Sequence, residues 1–219
     1  MGLVSRSVVV MAVAMGLLAY VRVLSLKAAK HMEQPAFHVL AFRDLPAWVL
    51  RRISPLRDRF LALGFRDLVC YTRNSTRTNF SCVLQTADHE VNAVIWVAQH
   101  RGLMYLLIVL QGWRVFRRNL LAEARYGLTT EFPDGRRFET SPVDLSQATV
   151  PGQAEFLTVS EKASLPEALR QHRDAARAFA ARYRLDVLRV STQDDFFNVE
   201  RALMARVARK LRGDPGSAS

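Results

Sequence analysis

Two cysteines in 219 residues are too few for a disulfide-stapled scaffold. Ten glycines and eight prolines exclude collagen-like and low-complexity classes. Half of the residues are apolar, so the chain is not one that stays disordered for want of a core. There is no Walker loop, no GxGxxG and no GxSxG. The five histidines, His31, His38, His89, His100 and His172, have no His, Cys or carboxylate partner at metal-ligand spacing. Cys70 and Cys82 do not form a CxxC. No cofactor, metal or catalytic residue is therefore expected. No internal repeat is visible.

What the sequence does carry is an apolar N-terminus. From Leu3 to Leu26 the only ionised side chains are Arg6 and Arg22. A bilayer core of about 30 Å needs roughly 20 helical residues. Residues 1–26 meet that requirement if Arg6 and Arg22 extend to the headgroups, and Tyr20 sits where an interfacial aromatic belongs. A cleaved signal peptide is the competing reading, and it requires a small, neutral cleavage region. Here Arg22 and Lys27 occupy that region, so an uncleaved single-pass anchor is expected. Basic residues in the short flanks set orientation. Arg6 and the α-amine lie on one side; Arg22, Lys27 and Lys30 lie on the other, followed by Arg43, Arg51 and Arg52. The bias places the C-terminal domain in the cytoplasm, on the inner membrane of a bacterium.

Charge is unevenly spread along the chain. Residues 1–66 carry ten Lys/Arg against three acids, residues 67–199 sixteen against fifteen, and residues 200–219 five against two. The total of +11 is thus concentrated next to the membrane segment and in the last helix. Anionic lipid attracts such juxtamembrane blocks by about 1 kcal/mol per residue. Solvated surface arginine is the plainer alternative. Nucleic acid is not expected as a partner, since a binder usually interleaves basic residues with aromatics on a strand surface or a recognition helix. The interface candidates are Arg6, Tyr20, Arg22, Lys27, Lys30, Trp48, Arg51, Arg52, Trp113, Arg114, Arg117 and Arg118. Trp48 and Trp113 serve equally well as core residues.

Residues 27–43 read as a juxtamembrane linker, 44–212 as an α+β domain and 213–219 as a flexible tail. Asp44 caps a short helix that ends near Ile53, and Ser54-Pro55 restarts a second one that Gly64 ends. Asp67–Arg73 and Phe80–Gln85 form a hairpin about Asn74-Ser75-Thr76. That makes Cys70 and Cys82 cross-strand neighbours. A disulfide is geometrically allowed, but two reduced, half-buried thiols are expected.

Val91–Ala98 is a further strand, approached through Asp88-His89-Glu90. A strand sends adjacent side chains to opposite faces, so His89 cannot share a pocket with both acids. Leu103–Leu110 is wholly apolar and is either a core strand or an interfacial segment. Tyr126–Phe132 and Arg136–Thr140 flank a Pro133-Asp134-Gly135 turn. Glu155–Val159 and Leu185–Val190 are short strands. Ser164 and Thr192 cap two closing helices. His172 stands among Arg170, Arg173 and Asp174, and reads as solvated. Asp194-Asp195 suit a helix N-terminus without chemistry.

The order of anchor, helix, meander and capped helix resembles uncharacterised bacterial membrane-anchored proteins. The likeness lies in Phe132, Asp134, Gly135, Thr140 and Ser141 of the hairpin, with His172 in the helix that follows. It implies no activity. The expected fold is α+β: one transmembrane helix, then a mostly antiparallel sheet with helices on one face. The expected function is a non-enzymatic accessory or scaffold subunit of a membrane protein assembly. Its partners would be membrane lipids and other subunits, and Ala12, Ala14 and Gly16 permit close helix packing. Two alternatives stand beside it. One is a membrane-tethered ligand-binding or sensor module, with an apolar pocket lined by Leu103–Leu110 and Tyr105. The other is an enzyme without a readable motif.

Overall fold

The computed structural model of the chain describes residues 35–73, 79–98, 124–143 and 154–212. It divides into two compact units, Ala36–Val199 and a second comprising Met1–Pro35 with Glu200–Ser219. The first unit is an α+β domain built on a seven-stranded sheet whose spatial order is its sequence order. The strands are β1 (Phe37–Leu40), β2 (Arg66–Arg73), β3 (Asn79–Gln85), β4 (Asn92–Ala98), β5 (Arg125–Glu131), β6 (Arg137–Ser141) and β7 (Ala154–Thr158). Each antiparallel neighbour follows directly in the chain until β6 and β7, which pair in parallel. The α-helices among the described residues are α1 (Ala47–Ala62), α2 (Leu165–Tyr183) and α3 (Gln193–Arg212).

α1 is one helix rather than two. Val49, Ile53 and Phe60 are buried at helical spacing along a single face. Pro55 lies inside the helix at an exposed position, so the carbonyl it leaves without an intrahelical N–H faces water. Asp44 does not cap it: Phe42–Asp44 is a separate 3-10 turn, and Pro46 stands at the N-terminal boundary. The helix closes on Gly64 at φ 85°, with the Phe65 N–H donating to the Phe60 carbonyl and the Gly64 N–H to Leu61. That is a Schellman stop, which needs a left-handed residue at that point. α2 ends in the same way, but Arg184 takes the left-handed position at φ 53°.

Alternation of side chains along the strands separates the two sheet faces. One face carries Cys82, Leu84, Ala93, Ile95 and Leu128, packed with Val49, Ile53 and Phe60 of α1 and Leu165 of α2. Phe132 and Phe138 extend this face beneath Ala176 and Phe179. The opposite face is not left open. Val69, Tyr71 and Val83 pack there with Val190, Phe196 and Phe197. The expectation of helices on one face alone is corrected accordingly: the start of α3 covers part of the other.

Other departures are local. Phe37–Leu40 is a strand where the sequence reads as linker, held by pairing with Arg73–Cys70. Leu185–Val190 forms no strand; Leu188 makes only an isolated bridge to Glu131. The two expected hairpins form, with Cys70 opposite Cys82 and Glu131 opposite Arg137. Cys70 and Cys82 are not reduced thiols but a disulfide. Among the described residues, no helix is long and apolar enough to cross a membrane. The expected anchor, residues 1–26, lies outside the described residues, as does Leu103–Leu110 with Tyr105.

Candidate membrane-facing site

Strand register fixes what lies at each end of the sheet. Phe37 opposes Arg73, Asn79 opposes Ala98, and Arg125 opposes Trp96. The chain therefore enters β1, leaves β4 and enters β5 at the same end. α1 begins near this end. Trp48 meets Phe80 edge-to-face with ring centroids 5.8 Å apart, and Phe80 is one residue in from the terminal Asn79–Ala98 pair. Arg52, one helical turn beyond Trp48, lies over the indole with its guanidinium carbon 5.5 Å from the ring centroid. Arg51 is exposed beside it, whereas Trp48 and Arg52 are half-buried. Of the twelve interface candidates, the structure brings together Trp48, Arg51 and Arg52. Arg6, Tyr20, Arg22, Lys27, Lys30, Trp113, Arg114, Arg117 and Arg118 lie outside the described residues.

At the opposite end, the β3–β4 turn is a closed polar knot. Thr86 Oγ1 donates to Asp88 Oδ1 at 2.5 Å and accepts from the Val91 N–H at 3.1 Å. Partial burial opposes ionisation of Asp88. The Thr86 hydroxyl, the Glu90 N–H and Arg173 outweigh it and hold the carboxyl below its usual range. His89 adopts φ 61° and donates from Nδ1 to Gln85 Oε1 at 2.6 Å. The Gln85 amide in turn donates to Asn92 and to the Val190 carbonyl. Asp88 and His89 are thus engaged with different partners. They do not form an acid–base pair.

His172 is not solvated. It is fully buried beneath α2, where it bridges two strands. Thr130 Oγ1 donates its one proton to the Glu90 carbonyl at 3.1 Å, so it accepts from His172 Nε2–H at 3.0 Å. Nδ1 then accepts from the Thr140 hydroxyl at 2.8 Å. Every polar atom of the neutral ring is satisfied. Burial, aided by the charge of Arg173, pushes its pKa down to about 3.

Sequence reasoning passed over two polar features of the other sheet face. Gln85, Asn92, Thr129 and Glu139 stand opposite one another in a single row across four strands. Among the described residues, the buried Thr129 Oγ1 has no hydrogen-bond partner. A Cβ on neighbouring Gly127 would come within 3.3 Å of Glu139 Oε1 and 3.4 Å of the Trp96 ring. Next to this row, Arg137 and Glu131 form a buried ion pair at 2.7 Å. The signal for it was present in the sequence, as opposite charges placed symmetrically about a Pro-Asp-Gly turn.

Among the described residues, no group of three or more His, Cys, Asp or Glu stands together as a metal site. The chain matches no protein-family model, and no curated protein or solved structure shows significant similarity to it.

Proposed function

We propose that this chain is a non-enzymatic, single-pass membrane protein acting as an accessory or scaffold subunit of a larger membrane assembly. The observation that carries the reading is the register at one end of the sheet. The apolar stretch Leu3–Leu26 precedes β1 in the chain, and Leu103–Leu110 lies between β4 and β5. Both connect to the domain at the end where Phe37, Ala98 and Arg125 lie, beside Trp48, Arg51 and Arg52. An aromatic with adjacent arginines suits the headgroup layer, where the ring takes the apolar side and the guanidinium groups meet phosphate.

The titratable groups support a structural rather than a chemical role. His172 is pinned between threonines, Asp88 is paired with Arg173, and Asp195 accepts from the Thr192 N–H and the Ser191 hydroxyl. The apolar face of the sheet is filled by side chains of α1 and α2, which weighs against an apolar ligand pocket there.

The test is extraction followed by co-purification. The chain is expected to resist alkaline carbonate and to leave the membrane in mild detergent with stoichiometric partners. Release by carbonate, or a mature N-terminus beyond Leu26, overturns the anchor. A clean monomer overturns the subunit assignment. The cytoplasmic placement expected from flanking charge is opposed by the Cys70–Cys82 bond.

A further inference from the structure

We infer that Cys70 and Cys82 are the substrate of a dithiol oxidase, and that the α+β domain therefore matures on the oxidising side of the membrane. The chain contains two cysteines, and both are in this bond. They face each other directly in the β2–β3 ladder with Cα atoms 4.1 Å apart. Antiparallel strands approach that closely only at their narrow, non-hydrogen-bonded pairs, where facing side chains are nearest. Their placement follows from the hairpin itself, because register about the turn brings the two residues opposite each other as soon as the strands pair.

The bond lies on the sheet face that α1 covers. Cys82 is fully buried and Cys70 nearly so, in one cluster with Leu45, Val49, Ile53 and Phe80. An oxidase must reach the thiols before α1 packs, and a reductant cannot reach the bond afterwards without opening the domain. Formation of the Sγ–Sγ bond removes two protons and two electrons from the pair of thiols. By thiol–disulfide exchange both pass to the oxidase, whose own disulfide becomes a dithiol. Compartments that hold such an oxidase are the bacterial periplasm and the secretory lumen, whereas the cytosol keeps thiols reduced.

Arg22, Lys27 and Lys30 favour the opposite placement, so charge bias and cysteine pairing make contrary predictions for one experiment. The inference does not require the anchor, since an exported and cleaved domain would be oxidised in the same way.

The experiment uses the full chain in intact bacterial cells. Cells are quenched in acid and denatured, and free thiols are tagged with a maleimide-polyethylene glycol before and after reduction. The expected result is no gel shift before reduction and a two-tag shift after it. In a strain lacking the periplasmic dithiol oxidase, two tags are expected without reduction. Protease added to spheroplasts should remove the domain. Two tags without reduction in the oxidase-competent strain, or a domain that protease cannot reach, overturns the inference. C70S and C82S variants, each limited to one tag, verify the assignment. Carbonate extraction of the same samples reads the anchor separately, so an oxidised but extractable domain would end the anchor reading and leave this one standing.

Discussion

Protonation of His172 should limit the acid stability of this fold. The folded ring is neutral and holds its proton only near pH 3, whereas an unfolded chain takes it up near 6.5. Above about 7.5 neither state is protonated and the fold is at full strength. Below that value the unfolded state binds a proton that the native state refuses, and stability falls as pH falls toward 3. The limiting slope for one such group is about 1.4 kcal/mol per pH unit, so at pH 4.5 the fold stands roughly 2.7 kcal/mol below its plateau above about pH 7.5. The perturbation is His172→Gln, which keeps polar atoms between Thr130 and Thr140 and does not titrate. The variant starts lower, by about 1–3 kcal/mol for disrupted buried hydrogen bonds. Its stability should nevertheless decline less steeply between pH 6 and 4, by close to one proton. Urea unfolding of the full chain in detergent, followed by tryptophan fluorescence at several pH values, reads this difference. Parallel slopes for the two proteins would refute the reasoning, because they would mean that the native ring protonates as readily as the unfolded one.

Two further predictions concern the hairpin and the helix end. Arg137→Met should cost roughly 3–5 kcal/mol by stranding the Glu131 carboxylate in a buried site, and adding Glu131→Met should recover most of that loss; both are read by chemical denaturation. Arg184→Gly should raise stability by up to about 1 kcal/mol, because glycine holds the left-handed position after α2 without the Cβ clash; a lower midpoint for the glycine variant contradicts this.

Elements with local causes were the legible ones. The β5–β6 hairpin follows from Pro133-Asp134-Gly135, with Gly135 at φ 83° and Asp134 accepting from the Arg136 N–H. The start of α3 follows from Thr192, whose hydroxyl accepts from the Asp195 N–H while the Asp195 carboxylate accepts from the Thr192 N–H. β1 was missed because four residues at a sheet edge have no period of their own, and only β2 makes them a strand. The parallel return of β7 depends on a partner fixed by the sheet rather than on a turn.

His172 was the instructive error. It lies seven residues after Leu165 and four before Ala176, on the very stripe whose burial was expected, but its charged neighbours suggested solvent. Helical spacing outweighed local composition. Of the candidate site, the four-residue step from Trp48 to Arg52 is visible in the sequence. The position of Trp48 against Phe80 is not, because it joins a helix to a strand some thirty residues on.

A sheet in which each strand lies beside its predecessor can be assembled in the order of synthesis. β1 to β6 need nothing that has not already left the ribosome. The lid over their later half is different. Thr130, Phe138 and Thr140 stay bare until Leu165–Tyr183 emerges. A nascent chain stalled before that helix would display a complete set of pleats with this flank wet and sticky and with Val69, Tyr71 and Val83 still bare on the reverse, so the interval between β7 and α2 is when a chaperone has most to protect.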